Sequence, residues 1–84
     1  MALNRADTPY KRAYREVFNL HRVALEKLAD TPVDALWLWY WKQAEDILNA
    51  AGTAYEFTMD MIVAVATDVE RQQLDLIHAG TLTA

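Results

Sequence analysis

The chain of 84 residues contains no cysteine and no serine. Without cysteine, no disulfide framework, zinc–thiolate site or thiol chemistry is open to it. With serine missing as well, the two commonest side-chain nucleophiles are absent. Glycine and proline occur twice each. That suits a helical protein with few turns, and it leaves no material for a glycine-rich phosphate loop. No apolar run exceeds seven residues, far below the ~20 needed to span a bilayer as a helix. Met1 to Asp7 hold no apolar run either, so they do not read as a signal peptide. The expectation is a cytoplasmic protein with no membrane contact, folded as one domain over residues 1–84.

What is present points to a globular chain, with 54% apolar and 24% charged residues. The net charge of −4 is unevenly split. Residues 1–29 hold six Lys/Arg and three Asp/Glu, net +3, whereas residues 30–84 hold two and nine, net −7. An acidic whole argues against nucleic acid as a partner.

All three tryptophans lie in Ala35-Leu36-Trp37-Leu38-Trp39-Tyr40-Trp41. Their alternation resembles a strand, but the flanks specify a helix. Thr31 and Pro32 read as N-cap and first helical residue, and Gly52 as the C-terminal stop. A helix over about 32–51 gathers Val33, Leu36, Trp37, Tyr40, Ala44, Ile47, Leu48 and Ala51 on one face. Trp41 falls at one edge of that face and Trp39 beyond the other, while Leu38 points nearly opposite. The first two turns are therefore apolar almost all round. So short a chain rarely buries one helix on every side, which predicts that something outside the minimal core covers part of this surface.

Two more helices flank it. The first spans about 9–29, with Asp7 or Thr8 as cap and Pro9 just inside. Tyr10, Tyr14, Val17, His21, Ala24 and Leu28 make a heptad seam, widened by Phe18, Leu20 and Leu25. The third spans about 54–79, with a capping box from Thr53 to Glu56 and Gly80 as its stop. Tyr55, Met59, Ile62, Ala66, Val69, Gln73 and Leu76 form its seam. Gln73 on that seam suggests that the last turns run past shorter partners, so that the helix projects, breaks or meets a second subunit. Thr81 to Ala84 reads as a tail expected to be mobile. The fold class expected is all-α, a small antiparallel three-helix bundle.

The candidate chemistry is thin. His21 lies on an apolar seam with no Glu-x-x-His or His-x-x-x-His spacing, which favours a core histidine with one hydrogen bond over a metal ligand. His78 sits in the last turn, where its charge would complement the helix end. Asp68, Arg71 and Asp75 are spaced as an exposed salt-bridge ladder rather than a carboxylate pair for catalysis. Lys11, Arg12, Arg15 and Arg22 form a basic stripe interrupted by Glu16, read as a solvated face. Tyr10, Tyr14, Tyr40 and Tyr55 fall on the seams and read as core residues with hydroxyls at the rim. No cofactor and no metal are expected, and the chain is read as non-enzymatic.

The expected function is protein–protein interaction, with itself or a larger partner, through the aromatic helix. The candidate interface is Leu38, Trp39 and Trp41, with Phe57 and Met61 off the third seam. A sharper version is an inhibitor encoded by a phage or mobile element, of anti-CRISPR type, in which Asp60, Asp68 and Asp75 present an acidic surface to a nucleic-acid channel. The rival is a small ligand- or metal-binding protein or enzyme with a pocket around His21 and the tyrosines.

Overall fold

Three helices and two tight connections account for the described chain, residues 8–80 of a computed structural model. The expected lead-in with Asp7, and the tail Thr81 to Ala84, lie outside the described residues. Helix α1 is Pro9–Lys27, α2 is Val33–Asn49 and α3 is Tyr55–His78. They pack against one another with no strand among the described residues. Tyr10 meets Phe57 and His21 meets Asp68, so α1 and α3 run the same way. Trp37 at the start of α2 reaches Gln73 near the end of α3, so α2 runs against both. The three-helix bundle is therefore up, down, up.

Helix starts are specified unequally. Thr8 caps α1 with its side chain, accepting from the Lys11 backbone N–H at 3.1 Å, and Pro9 costs nothing where no intrahelical donor is needed. The other two expected threonine caps do not form. Pro32 itself is the N-cap of α2, and the Thr31 hydroxyl donates to Asp30 at 3.2 Å instead. At α3 the capping box gives way to a 3-10 turn, Gly52–Ala54, and Ala54 takes the cap position without a side-chain bond. Gly52 has φ +57, a left-handed conformation that a side chain would oppose. The chain needs it there to leave α2 and re-enter a helix within five residues.

The core comprises Val17, Leu20, Ala24 and Leu28 of α1, Leu36, Tyr40 and Ala44 of α2, and Ile62 and Val69 of α3. Each large aliphatic here contributes on the order of 1.5–3 kcal/mol by leaving water. The α1 stripe differs from the expected seam. Ala13, Val17, Leu20, Ala24 and Leu28 are buried, while Tyr10, Tyr14 and Phe18 are exposed. The two stripes share Val17, Ala24 and Leu28 and differ by roughly 40° about the axis at about 100° per residue. Burying Tyr10 and Tyr14 would oblige their hydroxyls to find partners, and Ala13 and Leu20 carry no such demand.

Helix α3 is continuous. Gln73, expected in an overhang, is buried and accepts from Trp37 Nε1 at 3.1 Å. Leu76 packs against the core beyond it, so this end of α3 is covered. Thr58 and Thr67 turn their hydroxyls back onto the carbonyls of Ala54 and Val63, at 2.6 and 3.0 Å, the usual solution for threonine inside a helix.

Candidate interaction surface

Tyr40 is the pivot of the aromatic run. Its ring is fully buried, and its hydroxyl donates to the Ile62 carbonyl of α3 at 2.6 Å. Burial pushes the phenol well above its ordinary range, because the ionised form would leave water without a compensating charge. Trp37 and Trp41 meet the Tyr40 ring edge-to-face, with centroids 5.3 and 5.0 Å away. Trp37 is tied down by Gln73, whereas Trp41 remains 46% exposed. Leu38, on the far side of α2, is 76% exposed.

The five residues expected to form the interface do not form one patch. Leu38 and Trp41 line a shallow depression with Trp37, bordered by Asp34, Lys42 and Glu45. Trp41 continues onto α3, where Val63, Ala66 and Glu70 line the next depression. Trp39 faces α1 instead. It is half-buried against the core, with the Lys27 ammonium 4.9 Å from its ring centre, a favourable cation–π geometry. Phe57 lies across the bundle, edge-on to Tyr10 at 5.3 Å. Met61 is half-buried and packs against the core.

A second apolar surface was missed in the sequence. Tyr10, Tyr14 and Phe57 line a cleft with Lys11 and Arg15, and Tyr14 is 60% exposed. These tyrosines fall on a valid heptad seam, so spacing alone conceals them. The signal that separates them from core residues is their need for hydroxyl partners; Tyr10 reaches the Thr53 carbonyl only at 3.4 Å. Tyr55, also expected in the core, is exposed beside Trp41 and Met59.

The polar candidates regroup as well. Of the expected ladder the Asp68–Arg71 pair forms, but Asp68 also reaches across to α1. Its carboxylate lies between α1 and α3, 2.8 Å from His21 Nε2, and accepts from Gln72 at 2.9 Å and from Arg71. The His21 hydrogen bond is the main reason that the Asp68 carboxyl sits below its ordinary value; partial burial opposes it, and Arg71 and Gln72 reinforce it. Asp60 and Asp75 stay exposed on α3, and among the described residues no ion pair joins Asp75 to Arg71. His78 is exposed in the last turn of α3.

His21 and the tyrosines do not surround a pocket. Tyr10 and Tyr14 face out between α1 and α3, Tyr40 is sealed in the core, and Tyr55 faces out between α2 and α3. Among the described residues, no group of three or more His, Cys, Asp or Glu gathers to hold a metal ion. No helix there is long and apolar enough to cross a membrane. Compared with known proteins, the chain matches no family model, no curated protein and no solved structure.

Proposed function

We propose that the protein is an interaction module whose docking face is the Leu38–Trp41 side of α2, extended over α3 by Val63 and Tyr55. The observation that carries this reading is the exposure of four large apolar side chains, Leu38, Trp41, Tyr55 and Val63, around the junction of two helices. Aromatic anchors of this kind dominate binding energy where they are found at interfaces. A rim of Asp34, Glu45 and Glu70 gives the face an acidic border, which selects a partner with basic or neutral edges.

The double variant Leu38→Gln/Trp41→Gln tests the reading. Leu38 is exposed and Trp41 half-exposed, so the variant should keep the far-UV circular dichroism of the folded chain with only a modest loss in melting temperature, from the Trp41 contact with Tyr40. Association with a partner or with itself should fall at least tenfold, as measured by interaction analysis and by solution mass. Unchanged association in a folded variant would sink the proposal. The inhibitor reading, with an acidic surface acting on a nucleic-acid channel, retains Asp60 and Asp75 but not Asp68, whose carboxylate is committed to His21. It is therefore the less supported form of the same proposal.

A further inference from the structure

We infer that the protein forms a twofold dimer in which α2 packs antiparallel on α2 of a second copy, with Leu38 at the axis. This rests on the reading of the Leu38–Trp41 side as a docking face, and it names the occupant and the register.

The outer side of α2 is one stripe. Asp34, Leu38, Trp41, Lys42, Glu45 and Asn49 are all exposed, and at about 100° per residue they fall within a sector roughly 100° wide. Leu38, the most exposed of its apolar side chains, lies near the middle of that sector. Asp34 stands four residues before Leu38 and Lys42 four residues after it, both on the border of the same shallow depression. Among the described residues, neither charge is engaged in an ion pair. The stripe therefore holds two unpaired charges of opposite sign, equally far from a leucine that nothing in the fold covers.

When two antiparallel helices meet about a twofold axis, residues equally far from the axis on opposite sides lie level with each other. With the axis at Leu38, Asp34 of each copy is level with Lys42 of the other. Two ion pairs then close around a Leu38–Leu38 contact, and both form at once. Ala35, small and exposed, is level with Trp41 of the other copy and leaves room for its ring. Glu45 falls level with the neutral Thr31. An axis midway between Leu38 and Trp41 would instead set Asp34 level with Glu45, like against like, so the charges select one register. They select the occupant by the same arrangement. A second copy, turned about Leu38, brings the opposite sign to each charge and the same apolar side chain to the centre.

Charge reversal with rescue tests this, read by sedimentation equilibrium of the full chain. The wild-type mass should rise with concentration from 9.6 kDa to twice that value and stop. Asp34→Lys alone and Lys42→Asp alone each set like charges together in both pairs, so dimerisation should weaken about tenfold or more. An equimolar mixture of the two variants, or the double variant Asp34→Lys/Lys42→Asp, restores both pairs and should recover the dimer. Both positions are exposed, and far-UV circular dichroism identifies any variant that fails to fold. A second measurement is independent of these charges. The chain has no cysteine, so Leu38→Cys places a single thiol at the axis, and mild oxidation should link two copies. Glu45→Cys, seven residues away, leaves the two thiol-bearing positions about 21 Å apart at about 1.5 Å rise per residue, too far for a disulfide, and should not link. Unweakened single variants, a mixture and double variant that stay monomeric, or equal cross-linking at the two cysteine positions would each overturn the inference. So would a wild-type chain that remains monomeric throughout. The docking face would then stand or fall on the foreign-partner comparison with Leu38→Gln/Trp41→Gln.

Discussion

The two grooves flanking α3 are built by opposite means. Towards α1 the packing is more extensive, with small Ala13 and Ala24 buried on the facing helix and a polar tie from His21 to Asp68 across the seam. Towards α2 the contact is sparser, because Trp37 and Trp41 place rings where the first groove has methyl groups. Small residues let helix backbones approach, and large ones hold them apart at the upper end of the usual 8–10 Å spacing. The groove that closes on small side chains expels its aromatics to the surface as Tyr10, Tyr14 and Phe57. The groove that holds its rings leaves Trp41 half out. Surplus aromatic surface thus emerges on both sides, by different routes.

The sharpest way to break that contrast is at its shared centre. Tyr40→Ala should cost about 3–5 kcal/mol, the usual penalty for emptying a buried aromatic site. That is a large share of the ~5–15 kcal/mol available to a domain, so urea denaturation should find the variant largely unfolded or close to it. Tyr40→Phe should cost only about 0.5–1.5 kcal/mol, the net value of one hydrogen bond. Ile62 keeps a carbonyl that a helix already employs, so no acceptor is stranded.

A comparison within the aromatic run comes next. Trp37→Phe leaves the buried Gln73 amide oxygen without its donor, at a cost of about 1–3 kcal/mol. Trp41→Phe at a half-exposed position should cost less than about 1 kcal/mol. Equal losses in thermal melts would show that the two indoles share one role, against the geometry described above.

The polar tie should give a smaller and pH-dependent effect. The Asp68 carboxyl is held below its ordinary value of 3.8 in the fold. Its charge therefore stabilises the folded state above that pH, and the contribution disappears as the pH falls through the lowered value. Asp68→Asn should cost about 0.5–1 kcal/mol at neutral pH, as expected for a partly exposed ion pair. It should also flatten the acid limb of the stability curve. An unchanged acid limb would rule out this carboxyl as its source. Leu38→Lys should be smallest of all, within about 0.5 kcal/mol of wild type in chemical denaturation.

Much of this architecture was legible in the chain. Pro9, Pro32, Gly52 and Gly80 bracket the helices, and the angular position of Leu38, beside Lys42, Glu45 and Asn49, announces its exposure. The orientation of α1 was not legible. Two stripes share Val17, Ala24 and Leu28, and only the neighbours in space decide between them. The role of Asp68 was hidden for another reason. Its local spacing to Arg71 describes a surface pair, while its principal partner, His21, is 47 residues away in sequence. The threonine caps at Thr31 and Thr53 failed because short connections constrain backbone direction more strongly than one side-chain hydrogen bond does. Gln73 read as the sign of an overhang because a glutamine on an apolar seam looks unsatisfied until an indole N–H is found for it.

The edge-to-face cluster of Trp37, Tyr40 and Trp41 has an optical consequence. Rings this close exchange excitation, so Tyr40 should emit almost nothing of its own, and coupled transitions should give the near-ultraviolet circular dichroism a fixed, intense signature. Loss of the native ring geometry would erase that signature while helical signal persists. Trp41, the most exposed of the three indoles, should shift in emission colour and in quenching by iodide when another surface covers it. The protein thus carries two built-in dyes in one helix, one reporting that the interior is assembled and the other that the exterior is occupied.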